Sequence, residues 1–89
     1  MKALEQEGAI TFMIYLFKRN KVNISTALKD LEIGQSALYT TLRKLLQANL
    51  IAEVKEDRFP FSRFFVLTDK GRKVAEHLVE VEKILKETP

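Results

Sequence analysis

The sequence predicts a mainly α-helical α+β fold that contains one small β-hairpin. Four segments repeat apolar residues with helical spacing, and two short segments rich in aromatic and β-branched residues have the composition of strands. Glycine and proline are sparse, with three and two residues. A length of 89 residues corresponds to one domain, so we expect residues 1–89 to form a single compact unit.

The first predicted helix runs from about Ala3 to Arg19. Its apolar residues cover an arc much wider than the stripe of roughly 100° that an ordinary surface helix shows. They are Ala9, Ile10, Phe12, Met13, Ile14, Leu16 and Phe17. We therefore expect this helix to be covered on two sides.

The second predicted helix is short and follows a β-type stretch from Val22 to Ile24. Ser25 has the character of an N-cap, which places the helix at about Thr26 to Glu32. Ile33 and Gly34 then form a turn, and Gly34 can itself cap the next helix.

The third predicted helix runs from Gln35 to about Ala48, with a line of leucines at helical spacing on its inner side. Asn49 follows the last turn. A left-handed residue commonly ends a helix there, and asparagine tolerates that conformation.

Two strands, Leu50 to Lys55 and Arg63 to Leu67, form the predicted hairpin. The tip between them contains Pro60, which cannot occupy a paired central position in a sheet. The predicted order is thus helix, short strand, helix, turn, helix, strand, tip, strand, helix. This is the order of a winged helix-turn-helix, in which the third helix enters the DNA major groove and the hairpin is the wing.

The last predicted helix is capped by Thr68 and extends to about Glu87. An apolar residue recurs along it at 4-3-4 spacing, as in a coiled-coil seam, and its length of roughly 28 Å exceeds what the small core can cover. We predict that segment 69–87 forms a homodimer interface with support from the first helix. The predicted interface residues are Ile10, Ile14, Phe17, Val74, Leu78, Val81 and Leu85. The alternative is a helix that folds back on its own domain.

The charge distribution indicates a polyanionic partner. The net charge is +3, but residues 18–73 hold twelve basic and six acidic residues, a net of +6, whereas the ends have a net of −3. Lys18, Arg19 and Lys21 form one basic cluster, and residues 70–73 form another. Either cluster could contact the DNA backbone or be a solvated helix end.

The third helix has an outer face without any acidic residue from Gln35 to Leu50. Arginine can bind guanine in bidentate fashion, and lysine and tyrosine suit phosphate. The predicted DNA-contacting residues of this helix are Gln35, Ser36, Tyr39, Thr40, Arg43 and Lys44. The alternative is an amphipathic helix with a solvated face.

The wing is predicted to contact DNA through Arg58 and Arg63, along the backbone or in the minor groove. Glu56 and Asp57 lie beside Arg58 and would repel phosphate. We therefore expect the wing to bind more weakly than the third helix.

Three segments between Val22 and about Ala75 resemble winged-helix transcription regulators. Residues 36–45, with a Leu-Tyr pair and a following Leu-x-x-Leu, resemble the recognition helix of the PadR family. Residues 49–51 are similar to the Gly-Leu-Ile that opens the wing in PadR and MarR proteins, and residues 64–72 to the Leu-Thr-x-x-Gly-Arg step that closes it. Small archaeal and viral winged-helix proteins are alternative relatives. The resemblance implies homodimers on palindromic double-stranded operators, usually repressing transcription, with Ser36, Tyr39, Thr40 and Arg43 facing the DNA.

The sequence argues against several other classes of protein. It has no cysteine, which excludes disulfides and thiolate metal sites, and we see no Gly-rich phosphate loop and no metal-ligand cluster. The one histidine, His77, is expected to be a packing residue. The apolar run from Ala9 to Phe17 is too short to cross a bilayer. We expect a cytoplasmic protein without enzymatic activity, cofactor, metal or membrane partner.

A second function remains open at this point. Protein-interaction winged helices occur in transcription and chromosome-organising machinery, and the wide apolar face of the first helix would serve such a partner equally well. The acid-free face of the third helix favours nucleic acid.

Overall fold

The computed structural model describes residues 1–55 and 63–87. These residues form helices and a small sheet, which confirms the mainly helical α+β class. The elements are α1 (Lys2–Glu5), α2 (Ala9–Arg19), β1 (Lys21–Asn23), α3 (Ile24–Asp30), α4 (Gln35–Gln47), β2 (Ile51–Lys55), β3 (Arg63–Leu67) and α5 (Asp69–Lys86). The predicted hairpin tip lies outside the described residues.

The sheet holds both ends of the helix-turn-helix, which consists of α3, the turn and α4. Its strands are antiparallel in the order β1-β3-β2, with Val22 opposite Phe65 and Ile51 opposite Leu67. Because β1 precedes α3 and β2 follows α4, pairing both strands to β3 fixes where the pair of helices starts and stops.

The first predicted helix is two helices, so its prediction as one segment is wrong. Gly8 has a φ of 82°, a left-handed conformation, and a Cβ at this position would overlap the Ile33 side chain. The break turns α1 so that Ala3 and Leu4 pack against the core. Residues 5–8 are Glu-Gln-Glu-Gly, so the break falls in a polar stretch through which the sequence prediction continued the helix.

The predicted cap of the second helix is also wrong. Asn23, not Ser25, caps α3, because its side-chain oxygen accepts a hydrogen bond from the Thr26 N–H at 2.8 Å. Asparagine caps helices as well as serine does. The helix ends at Asp30, and the extended Leu31 takes the place of the predicted last turn.

The end of α4 and the start of α5 form one tightly bonded junction. The predicted left-handed Asn49 is confirmed, with a φ of 61°, and the Thr68 cap is confirmed by a 2.9 Å hydrogen bond from the Gly71 N–H. The Thr68 hydroxyl donates to the Asn49 carbonyl at 2.7 Å, and Lys70 Nζ donates to the Ala48 carbonyl at 3.1 Å. These bonds fix the first turn of α5 on the C-terminus of α4.

Candidate nucleic-acid interface

The rotation of α4 is set by four buried side chains on its inner face. Three are the predicted leucines, Leu38, Leu42 and Leu45. The fourth is Thr41, whose hydroxyl donates a 2.7 Å hydrogen bond to the Glu7 carbonyl in the turn between α1 and α2. Sequence reasoning missed Thr41, although its position three residues after Leu38 places it on the same face.

The opposite face of α4 carries the predicted DNA contacts toward solvent. Thr40 is half-buried, and its hydroxyl donates to the Ser36 carbonyl at 3.1 Å, one turn back. The other predicted contacts are exposed, namely Gln35, Ser36, Tyr39, Arg43 and Lys44. This surface offers amide, hydroxyl, phenol, guanidinium and ammonium groups, which suit base edges and phosphate.

Arg43 and Lys44 have no ion pair within the part of the chain that the structure describes. Many other cations have internal partners. Lys18 pairs with Glu82 at 3.3 Å, and Arg19 pairs with Asp30 at 2.8 Å. Arg43 and Lys44 therefore give α4 two adjacent positive charges that an external anion can reach.

The two basic clusters outside α4 have internal contacts. Lys21 Nζ lies 4.5 Å from the Phe64 ring centroid, and the Arg72 guanidinium lies 6.0 Å from the ring centroid of Phe17. Lys70 bonds the C-terminus of α4. These contacts favour a structural role for most of these residues.

A polar network fixes α3 against α2. The Tyr15 hydroxyl donates to Asp30 Oδ2 at 2.7 Å, and the Arg19 guanidinium, which pairs with the same carboxylate, lies 5.2 Å from the Tyr15 ring centroid. Burial, followed by the hydrogen bond to Asp30, raises the pKa of Tyr15 above its ordinary value, so the phenol keeps the proton that it donates.

Arg63 lies at the base of the wing and pairs with Glu53 on the neighbouring strand. Its Nε donates to Glu53 Oε2 at 2.5 Å and its Nη2 to Oε1 at 3.2 Å. These hydrogen bonds lower the pKa of Glu53 and raise the pKa of Arg63. The other wing residue that we predicted, Arg58, lies outside the described residues.

The predicted seam of the last helix divides into two parts. Val74 and Leu78, together with Phe17 of α2, pack against the core of their own domain. Beyond them Val81 and Leu85 are 50% and 78% exposed. The helix thus folds back on its domain over its first half and presents an apolar end over its second half.

The second side of α2 is also incompletely covered. Ile10 is 44% exposed and Ile14 is half-buried. Among the predicted interface residues, one group therefore packs within its own domain and another is exposed. The first group is Phe17, Val74 and Leu78, and the second is Ile10, Val81 and Leu85. Their role in a dimer stays a prediction.

Other kinds of site find little support in the described residues. No group of three histidine, cysteine or acidic side chains among them is placed to hold a metal ion. No helix in the described ranges is long and apolar enough to span a membrane. His77 is exposed, so its prediction as a packing residue is wrong.

The arrangement of a helix-turn-helix, a hairpin wing and a long final helix defines the winged helix-turn-helix class, and several solved structures match this fold over most of the chain. A transcriptional regulator homologue from Pyrococcus horikoshii OT3 has a TM-score of 0.80 and 22% identity, covering 96% of this chain and 85% of that one. A MarR-family regulator from Porphyromonas gingivalis W83 has a TM-score of 0.82 and 20% identity, covering 100% and 87%. The protein AF1382 from Archaeoglobus fulgidus has a TM-score of 0.80 and 22% identity, covering 98% and 97%.

The family model of HxlR-like helix-turn-helix proteins matches residues 10–88, and the chain belongs to that family. The sequence matches no curated protein. The predicted resemblance to winged helix-turn-helix transcription regulators is confirmed, and the matching family is the HxlR-like one. The chain has the fold of MarR- and HxlR-type transcription regulators, which implies DNA binding.

Proposed function

We propose that the protein is a homodimeric repressor that binds a specific palindromic sequence in duplex DNA. In this proposal α4 lies in the major groove, with Arg43 on a base edge and Lys44 on phosphate. Gln35, Ser36, Tyr39 and Thr40 complete the contact surface. Arg58 and Arg63 contact the DNA backbone or minor groove from the wing, and the bound dimer represses by occupying DNA that the polymerase needs.

The observation that carries this proposal is that the outer face of α4 combines positive charge with cations that form no ion pair to a described residue. Its outer face has no acidic residue, and Arg43 and Lys44 are exposed without an ion pair to any described residue. An unpaired arginine needs no internal bond broken before it binds guanine. An ordinary solvated helix face would not require the absence of acidic residues.

The open end of α5 supports the dimer. Val81, Ile84 and Leu85 form a connected apolar end with exposures from 50% to 78%, and a two-fold axis beside it would bury the same residues of both protomers. A dimer of this kind would place two recognition helices about one DNA turn, roughly 34–36 Å, apart. Two-fold symmetry in the protein then predicts a palindromic site.

The test is selection of bound sequences from a pool of random duplex DNA. We expect enrichment of an inverted repeat whose half-sites lie about 10–10.5 base pairs apart from centre to centre. Enrichment of a single half-site would contradict the dimer but keep the contact by α4. Retention of no duplex at low salt would contradict the function and favour a protein-interaction winged helix.

A further inference from the structure

Arg63 differs from the predicted DNA contacts on α4 in having an acidic partner. The predicted contacts on α4 form no ion pair with a described residue, whereas two nitrogens of Arg63 bond both oxygens of Glu53. The strand register places Glu53 opposite Phe65 and Lys55 opposite Arg63. The Arg63 side chain therefore reaches diagonally back along the sheet to Glu53.

Arg63 lies two residues before the buried Phe65 on β3, so the two side chains share one face of the sheet. The Arg63 Cζ lies 5.9 Å from the ring centroid of Phe65. The side chain of Arg63 is 55% exposed and that of Glu53 is 23% exposed. An anion that approached this place from solvent would meet Arg63 first, with the Glu53 carboxylate directly behind it.

We propose that Glu53 competes with DNA phosphate for Arg63 and thereby keeps the contribution of the wing to DNA affinity low. The proposal rests on the proposed function. A guanidinium has five N–H donors, so Arg63 has donors left for a phosphate. Its charge, however, is already balanced by Glu53, and a phosphate on Arg63 would lie close to that carboxylate.

Glu53 therefore weakens phosphate binding by Arg63 whether or not the ion pair between Arg63 and Glu53 persists. If Arg63 keeps Glu53, the carboxylate repels the phosphate; if Arg63 leaves Glu53, a bidentate ion pair is lost. In either case Arg63 displaces fewer condensed cations from DNA than an unpaired arginine would. Because phosphate contacts carry no direct sequence information, Glu53 sets the affinity for every duplex and leaves the sequence preference to α4.

The experiment measures the affinity of the full chain for its selected operator and for an unrelated duplex, across a salt series. Glu53→Gln preserves the size of the side chain and removes its charge. We expect about tenfold tighter binding to both duplexes near 0.1 M salt, and a log–log salt slope that is steeper by about 2 for a dimer. Glu53→Gln combined with Arg63→Gln should bind as Arg63→Gln alone does.

Glu80→Gln is the matched control, because Glu80 has its own ion pair with Lys83 on α5 and the substitution changes the net charge equally. It should leave the salt slope unchanged. Weaker binding by Glu53→Gln would show that Glu53 orients Arg63 for DNA and would overturn the proposal. Binding equal to that of the parent or of Glu80→Gln would overturn it too. If the parent binds no duplex, the proposed function fails and this proposal with it, whereas the preceding results refute this proposal alone.

Discussion

At the scale of single residues, the structure separates the cations that build the fold from those available to bind. Arg19, Lys70 and Arg72 contact an acid, a carbonyl and an aromatic ring inside the chain. Arg43 and Lys44 have no such partner among the described residues. Net charge alone does not reveal this division, because every basic residue counts equally in it.

Arg43 and Lys44 are expected to differ in what they contribute to DNA binding. Arg43→Ala should cost about 1–3 kcal/mol of binding free energy per half-site and relax the sequence preference, since a bidentate contact to guanine is lost. Lys44→Ala, the matched control on the same turn, should weaken all duplexes about equally. Unchanged affinity and preference in the Arg43 variant would contradict its assigned role.

Gly71 is expected to be irreplaceable for a reason that the sequence does not show. A Cβ at this position would overlap the backbone carbonyl oxygen of Leu50, which cannot move without breaking the junction between α4 and α5. Gly71→Ala should lower the free energy of unfolding by about 1–3 kcal/mol. Helix propensity alone would raise it by up to about 1 kcal/mol, so the sign of the change in a denaturant titration decides between them.

At the scale of elements, boundaries were predicted well wherever a local signal had no competitor. The limits of β3, the start of α4, the turn at Asn49 and the Thr68 cap all follow from short-range rules, and the structure agrees with them. The prediction failed at the start of α3, where two candidate capping residues compete. Asn23 and Ser25 are both capping residues, and pairing of β1 with β3, which is not a local signal, decides which of them precedes the helix.

The cap assignment of α3 can be tested with these two residues. Asn23→Ala should lower the free energy of unfolding by about 1 kcal/mol, since it removes the acceptor of the Thr26 N–H. Ser25→Ala is the matched control and should change it by less than about 0.5 kcal/mol. Thermal or denaturant unfolding of both variants gives the comparison, and equal losses would contradict the assignment.

The candidate site could be predicted from the sequence only where it depends on short-range patterns. The outer face of α4 follows from helical periodicity, so its six residues could be chosen without the structure. Thr41 bonds Glu7 across 34 positions of sequence, and Glu53 meets Arg63 only through the strand register. Contacts of this kind depend on the tertiary fold, which spacing along one element does not contain.

At the scale of the whole molecule, α5 links the fold to the proposed assembly. One face of its first half packs on its own domain, and its second half exposes Val81, Ile84 and Leu85. Changes in the second half should therefore affect association without unfolding the protomer.

Val81→Asp combined with Leu85→Asp should convert the proposed dimer to a folded monomer. The new carboxylates would be buried without partners in the dimer but solvated in the protomer. Sedimentation at micromolar concentration should show the parent as a dimer and the variant as a monomer with unchanged helical circular dichroism. Lys83→Asp, on the other side of α5, is the control and should stay dimeric. A parent that sediments as a monomer would contradict the proposed dimer.

The most direct test of the account is the salt dependence of binding to duplex DNA. If each subunit of the dimer neutralises about three to five phosphates, the logarithm of affinity should fall against the logarithm of salt concentration with a slope of roughly −5 to −9. Fluorescence anisotropy with the selected operator measures this slope. The predicted result is sequence-dependent binding whose affinity falls steeply with salt concentration. A flat salt response or no binding at low salt would contradict the central claim.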